Sequence, residues 1–212
     1  MGDAVINMAI TLNEFVSDFA VGLGNVDARL PVAFSSRSTL AYQPGIGPHT
    51  EAATVALVMN EVQQIWPERY VLVSREVRYP DDPRKKCDIC LGAAPEWDWC
   101  IEVKMLRMMG DNGKPNDNML MHILSPYLSN NSAVTDCEKL AHSQLHGKKA
   151  VVIFAYEYSQ YPVEPVVRAF ELLAADRVSI SERARASFSG LVHPVHGCGG
   201  VFGWEIDSSR AC

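Results

Sequence analysis

The sequence predicts an α/β protein in which a sheet is flanked by helices. Residues 86–104 form two runs around a turn, and apolar and polar residues alternate through the second run, as in a strand hairpin. The run Ala150–Ala155 is almost continuously apolar, which is typical of a strand buried on both faces. With the helical patterns around these strands, the expected order over residues 48–158 is helix, three strands, helix and strand.

The first helix is expected to begin at a capping box, in which the side chains of Thr11 and Glu14 each accept from the other's backbone N–H. Apolar residues follow at helical spacing until Gly22 and Gly24, which we expect to end the helix. Residues 25–47 mix Pro, Ser and Gly without a strong period. They therefore predict a loop with at most a short strand or helix.

A second helix is predicted to start at Pro48–Thr50 and to continue to Trp66, since Pro67 stops it. Glu51 falls on its apolar face, where a carboxylate needs an explanation. One explanation is the helix dipole, which favours acids in a first turn. The other is that Glu51 points over the sheet.

The central hairpin carries the main candidate site. A strand at Tyr70–Tyr79 is expected to lead into it through a proline-rich turn. On the second hairpin strand, Glu102 and Lys104 share the polar face, and on the first strand Asp88 lies opposite the apolar set. Hairpin pairing is expected to bring Asp88 beside Glu102, so that two acids and a lysine converge.

Such a convergence has a chemical use. Two carboxylates can hold a hard cation such as Mg²⁺ while the cation keeps waters and accepts phosphate oxygens. A neighbouring ammonium can orient the attacking water, help to deprotonate it, or offset charge in the transition state. The alternative is an ordinary solvated strand face, on which acids and lysines also alternate.

Asp88, a spacer of thirteen residues, and then Glu102-Val103-Lys104 resemble the signature of the PD-(D/E)XK nuclease superfamily, the fold of many restriction endonucleases. The order of elements over residues 48–158 agrees with that resemblance. The resemblance implies a restriction-endonuclease-like domain over residues 1–212, in which a mixed sheet is flanked by helices, with an added N-terminal helix and a C-terminal helix plus hairpin.

The resemblance also implies an activity, a Mg²⁺-dependent endonuclease acting on DNA, with Mn²⁺ able to substitute. In that family pattern Asp88, Glu102 and Lys104 are catalytic. Asp88, Glu102 and Glu51 hold the metal, since many members carry a glutamate on the first core helix.

Composition limits the protein class. With 212 residues, 48% hydrophobic and 21% charged, the chain can build a sizeable core as one domain. A net charge of −6 argues against a broad basic surface, although cations cluster in residues 75–86 and 139–149. Neither an apolar run of about 20 residues nor a secretory pattern is present, so no membrane association and a cytoplasmic location are expected.

The cysteines show no disulfide-framework spacing, and we expect free thiols. Cys87 and Cys90 are predicted to lie on opposite faces of their strand, which argues against zinc there. His193, His196 and Cys198 form a denser cluster around a glycine-rich turn, and we interpret them as serving the turn rather than a metal.

The segment 107–133 is long for a loop in a compact domain, so it could hold substrate or a partner subunit, as in a homodimer. A second capping box, Thr135–Glu138, is predicted to open a helix that ends at Leu145. On it Lys139 and His142, with His146, form a basic face. We assign Lys139 and His142 to substrate binding, with a solvated face as the alternative.

The C-terminal part is predicted to contain a helix, Pro165–Ala175, and then two strands, Leu191–Val195 and Val201–Ile206. Three functions remain open for the whole chain. The first is a restriction-like DNA endonuclease, a choice favoured by the absence of a P-loop or other ATPase motif. The second is a non-catalytic binding or assembly protein that keeps the fold, and the third is an RNA-directed nuclease.

Overall fold

Seven strands form one mixed sheet in the computed structural model, which describes residues 10–35 and 38–207. The strands are β1 (Val73–Arg78), β2 (Lys86–Ala93), β3 (Glu96–Leu106), β4 (His146–Tyr156), β5 (Ser179–Ile180), β6 (Ala184–Ser189) and β7 (Cys198–Asp207). The helices are α1 (Leu12–Ala28), α2 (Glu51–Ile65), α3 (Met119–Leu124), α4 (Ala133–His142) and α5 (Val163–Ala175), with a 3₁₀ turn at Leu128–Asn130.

The strand order is β1-β2-β3-β4-β7-β5, and β6 also pairs with β7. Among the pairings of the described strands, only that of β3 with β4 is parallel, as expected when a long crossover containing α3 and α4 connects the two strands. The predicted α/β class, a mixed sheet flanked by helices, is therefore present.

Helices cover both faces of the sheet. On one face α1 and α2 pack over apolar residues such as Ile101 and Val103, and on the other α3, α4 and α5 enclose a second cluster. Every residue of Ala150–Ala155 on β4 is fully buried, which confirms the strand predicted to be covered on both sides.

The capping box at Thr11 is confirmed, but the predicted end of α1 is wrong. The helix passes through both Gly22 and Gly24 and ends at Ala28. Gly22 does not break the helix because it serves packing: a Cβ there would lie 2.9 Å from Val58 on α2. Absence of a side chain thus lets two helices approach closely, a role that local sequence does not distinguish from a helix stop.

The predicted bounds of α2 are confirmed, since Thr50 caps the helix by accepting from the Ala53 N–H and Trp66 is its C-cap, although Pro48 lies before the first turn rather than in it. The start of β1 differs from its prediction. Tyr70 belongs to the turn after α2 rather than to β1, because its N–H bonds to the Trp66 carbonyl and its hydroxyl to Asp18.

The helix expected to begin at Thr135 begins three residues earlier. Ser132 is the N-cap and accepts from the Thr135 N–H at 3.2 Å, and the helix ends at His142. His146 consequently belongs to β4, and the predicted basic face through it does not exist. The second capping-box prediction failed because Ser132 and Thr135 are both good N-cap residues.

The predicted strand Leu191–Val195 is also wrong, since residues 190–197 form a loop and the strand before this loop that pairs with β7 is β6. Pro194 lies inside that segment and has no N–H for a ladder hydrogen bond. None of the described helices combines the length and apolar character that a membrane crossing needs.

The two glycines of α1 provide a matched pair for testing this packing. Gly22→Ala should lower the free energy of unfolding by about 1 kcal/mol or more, because its methyl group meets Val58 and Val62 at about 3 Å. Gly24→Ala should raise it by about 0.5–1 kcal/mol, because no atom lies within 4 Å of its added Cβ and alanine favours the helix. Urea unfolding measures both, and equal effects would contradict the assigned role of Gly22.

Candidate active site

The site forms where β2 separates from β3. The two strands pair as far as Ile89 opposite Ile101, whereas β4 follows β3 on its other edge to Leu106. The edge of β3 beyond Ile101 therefore presents backbone N–H groups that β2 does not reach. Asp88 Oδ2 accepts from one of them, Val103 N–H, at 2.7 Å.

The chain distorts at Asp88, since Ile89 packs under α1 and α2 whereas Cys87 packs in the opposite cluster. Cys87 and Cys90 thus lie on the same side of the sheet, beside Cys100, and the prediction of opposite faces is wrong. Side chains of β2 therefore do not alternate strictly between the two faces of the sheet. The same irregularity turns Asp88 toward β3. The five described cysteines are free thiols, and Cys212 lies outside the described residues.

Glu51 reaches the same edge of β3 from the start of α2. Its Oε2 accepts from the Met105 N–H at 2.6 Å, and its Oε1 lies 3.9 Å from Lys104 Nζ. Of the two explanations for an acid on the apolar face of this helix, contact with the sheet is therefore realised. Glu51 and Asp88 line one cavity of about 330 Å³, together with Arg75 and Glu76 of β1 and part of α2.

Glu102 lies deeper than these two acids, with only 1% of its surface exposed. Its Oε1 accepts from the Tyr79 hydroxyl and lies 2.8 Å from Lys139 Nζ. Strand pairing stops one residue short of Asp88 and Glu102, but the two acids are close enough for Asp88 to raise the pKa of Glu102. In this structure, however, an ammonium group holds Glu102.

Asp136 is the functional candidate that sequence reasoning missed. It bridges two lysines, with Oδ2 2.7 Å from Lys104 Nζ and Oδ1 2.7 Å from Lys139 Nζ. The misplaced start of α4 concealed it, because a helix capped at Thr135 makes Asp136 an ordinary first-turn acid. With Ser132 as the cap, Asp136 is the fourth residue of the helix and faces the sheet, 2% exposed.

Lys139 and His142, predicted together as substrate contacts, have different surroundings. Lys139 is held by Glu102 and Asp136, and its ammonium lies over the Tyr79 ring at 5.2 Å from the centroid. His142 is exposed at the end of α4, and its Nδ1 lies 2.7 Å from the Glu138 carbonyl oxygen. The structure therefore brings Lys139 into the cluster and leaves His142 outside it.

Burial and like charges dominate the electrostatics. Burial raises the pKa of Glu51 to about 7, against the opposing effects of Lys104 and the Met105 N–H. Burial, followed by Asp136 and Asp88, raises the pKa of Glu102 well above its usual range. Burial opposes the charge on Lys104, but the acids around it outweigh that effect and raise its pKa.

The residues present fit a divalent cation. The acids Glu51, Asp88, Glu102 and Asp136 face two ammonium groups, so the cluster carries a formal charge of −2 when all are ionised. Glu51 and Asp88 each use one oxygen for a backbone N–H, and their second oxygens are the hard donors that Mg²⁺ prefers.

Comparison with protein-family models, curated proteins and solved structures gives no match to this chain. Its function is therefore to be inferred from the residues of this site, their spacing and their geometry.

The raised pKa of Glu51 makes stability depend on pH in the absence of metal. Its ordinary value is 4.5, so the stability that the neutral carboxyl provides is lost as pH rises from about 4.5 through about 7. Glu51→Gln keeps an acceptor for Met105 N–H without a charge. In EDTA it should raise the free energy of unfolding at pH 8 by on the order of 1 kcal/mol, discounted for a side chain that is 35% exposed, and change little at pH 4.

Thermal or urea unfolding at the two pH values measures this difference. Glu14→Gln is the control of opposite sign, because hydrogen bonds from Thr11 lower the pKa of Glu14. That variant should lose stability at pH 8. A Glu51→Gln effect that is the same at both pH values would show that burial of this carboxylate is not costly.

Proposed function

We propose that this protein is a Mg²⁺-dependent endonuclease that hydrolyses DNA phosphodiester bonds, with a restriction-endonuclease-like fold. The observation that carries the proposal is the meeting of Glu51, Asp88 and Glu102 with Lys104 where β2 leaves β3. The order of elements from α2 to β4 supports it as well: apart from α3, which is inserted between β3 and α4, it is the order that the resemblance implies.

Glu51 and Asp88 would hold the metal at the cavity, with Mn²⁺ as a substitute for Mg²⁺, and Glu102 would complete the carboxylate set. A bound divalent cation would supply charge for the phosphate oxygens and lower the pKa of a coordinated water. The Lys139 ammonium at Glu102 Oε1 would compete with the cation for this carboxylate and could exchange with it. Both partners carry positive charge, so the exchange keeps the buried carboxylate compensated.

Lys104 would act on the water or on the transferring phosphate. Asp136 holds its ammonium at 2.7 Å and so fixes its position beside Glu51. Because surrounding acids raise its pKa, Lys104 is a cation in the metal-free protein. This favours orientation of the water and stabilisation of charge in the transition state over abstraction of a proton.

DNA could approach from the β1 side of the cavity. Arg75 lines the cavity and is exposed, as is Arg78 at the end of the same strand. Lys86 and Glu76 form an exposed ion pair at 2.6 Å nearby. A local group of cations is the feature that phosphate binding requires, even in a chain with a net charge of −6.

One observation favours the non-catalytic alternative. Two lysines already compensate Glu102 and Asp136, so the cluster could be a buried ion-pair network without a metal. Isothermal titration of Mg²⁺ or Mn²⁺ separates the two functions. Binding by the wild type that Asp88→Ala abolishes supports the nuclease, and no binding supports an assembly protein. Matched DNA and RNA duplexes then separate the DNA enzyme from an RNA-directed nuclease.

Nicking of plasmid DNA tests the different roles of Lys104 and Glu51. Lys104→Ala should lower the single-turnover rate by on the order of 10² or more at every Mg²⁺ concentration, because it removes a group that acts in the transition state. Glu51→Gln should instead shift the Mg²⁺ dependence and keep some cleavage at high Mg²⁺, since other carboxylates remain.

Arg168→Ala is the control for this assay, since Arg168 is exposed on α5 and pairs with Glu164. It should cleave like the wild type. If Lys104→Ala also does so across several DNA substrates, the catalytic assignment fails. Full rescue of Lys104→Ala by high Mg²⁺ would reduce Lys104 to electrostatic support of the metal.

Lys139→Gln tests whether this lysine competes with the metal or contacts the substrate. If its ammonium occupies Glu102 in the metal-free protein, the variant should bind Mg²⁺ several-fold more tightly and be less stable without metal. Titration calorimetry and thermal unfolding measure the two effects. The opposite outcome is that Lys139→Gln and His142→Gln both raise the KM for DNA and leave the Mg²⁺ affinity unchanged. That result would support the predicted role of these two residues in substrate binding.

A further inference from the structure

A second polar cluster lies beyond the C-terminal end of β3, in the loop after β3 and the loop before β7. Asp111, His193 and His196 each offer a ligand atom, and these atoms lie within 4.8 Å of one another. Both histidines are buried, with 1% and 0% of their surfaces exposed. Cys198, which the sequence grouped with them, is exposed on β7, and Asp111 is the third member instead.

His196 is held on both ring nitrogens. Its Nδ1 lies 2.8 Å from the Tyr158 hydroxyl, and its Nε2 lies 3.0 Å from Asp111 Oδ1. The ring also packs on the backbone of Gly47, where any Cβ would lie 2.6 Å from the Cβ of His196. The position of this imidazole is therefore fixed before any ligand binds.

One ring nitrogen of His193 lacks a hydrogen-bond partner. Its ring stacks on that of His196, with centroids 4.6 Å apart, and its Nδ1 accepts from the Val195 N–H at 3.3 Å. Its Nε2 is buried and has no hydrogen-bond partner. A buried polar atom without a partner is costly, and a native protein rarely keeps one unless a water, ion or function accounts for it.

We propose that Asp111, His193 and His196 bind a divalent transition-metal ion of the zinc class. Two imidazole nitrogens and one carboxylate oxygen are a donor set that zinc takes, whereas Mg²⁺ prefers oxygen alone. A fourth position remains for water. The Tyr158 hydroxyl is the outer partner that orients a metal-bound histidine.

Binding requires small rearrangements that the local geometry allows. Zinc–nitrogen bonds are about 2.0–2.1 Å, so the most separated ligand atoms have to approach each other by roughly 1–1.5 Å. Each imidazole binds the metal through Nε2 and carries its proton on Nδ1. His196 then donates to the Tyr158 oxygen, and His193 gives up its long contact with Val195 N–H.

Arg107 limits the affinity. Its guanidinium lies 3.7 Å from Asp111 Oδ1 and also donates to the Gly47 carbonyl. This competing cation predicts weaker binding than in a cysteine-rich structural site. The bound metal would tie the loop after β3 to the loop at residues 190–197, independently of the nuclease carboxylates.

Zinc titration by calorimetry, and cobalt substitution followed by visible absorption, test the site in the full chain. The wild type should bind one equivalent with high affinity and with the absorption of a tetrahedral Co²⁺ centre, and zinc should raise its Tm. His193→Gln and Asp111→Asn should each weaken zinc binding by at least tenfold and lose the Tm increase. His196 is left intact because it packs against Tyr156 and Gly47.

Three controls separate this site from other sources of binding. Cys198→Ser and His122→Gln change exposed metal-binding side chains and should keep wild-type affinity. Asp88→Asn should also keep it, whether or not the proposed nuclease site exists. Unchanged zinc binding in a folded His193→Gln, or loss of the high-affinity equivalent in Asp88→Asn, would overturn the proposal. Circular dichroism without metal establishes that each variant is folded.

Discussion

The free edge of β3 is the constraint on which the candidate site depends. Beyond Ile101 its N–H groups have no β2 partner, and leaving a buried N–H unpaired costs about 1–3 kcal/mol. Asp88 and Glu51 satisfy the groups of Val103 and Met105, at 2.7 and 2.6 Å. Two carboxylates are thereby anchored two residues apart on one strand, which makes their convergence a consequence of strand geometry.

This anchoring concentrates negative charge in the poorly solvated space beside β3. Neighbouring lysines compensate part of that charge. Lys104 and Lys139 compensate Glu102 and Asp136 through contacts of 2.7–2.8 Å. Compensation is incomplete at Glu51, whose pKa burial raises to about 7. A cluster with more acids than cations is suited to a dication, and the same excess makes it costly when no metal is present.

Sequence patterns succeeded where short-range chemistry decides the outcome. The capping box at Thr11, the fully buried run on β4 and the hairpin that holds Asp88 and Glu102 were all predictable from spacing and side-chain type. Patterns failed where two local solutions have similar energies. Gly22 is compatible with a helix stop or a close helix contact, and Ser132 and Thr135 can each cap α4.

The sequence by itself determined the α/β class, the spacing of Asp88, Glu102 and Lys104, and the unusual position of Glu51 on an apolar helix face. Only the tertiary structure decided that Asp136 joins these residues and that Asp111 replaces Cys198 beside His193 and His196. The physical reason is the sequence separation over which each interaction acts. Capping and alternation act within a few residues, whereas an ion pair or a ligand set forms between segments that the packing of helices and loops brings together.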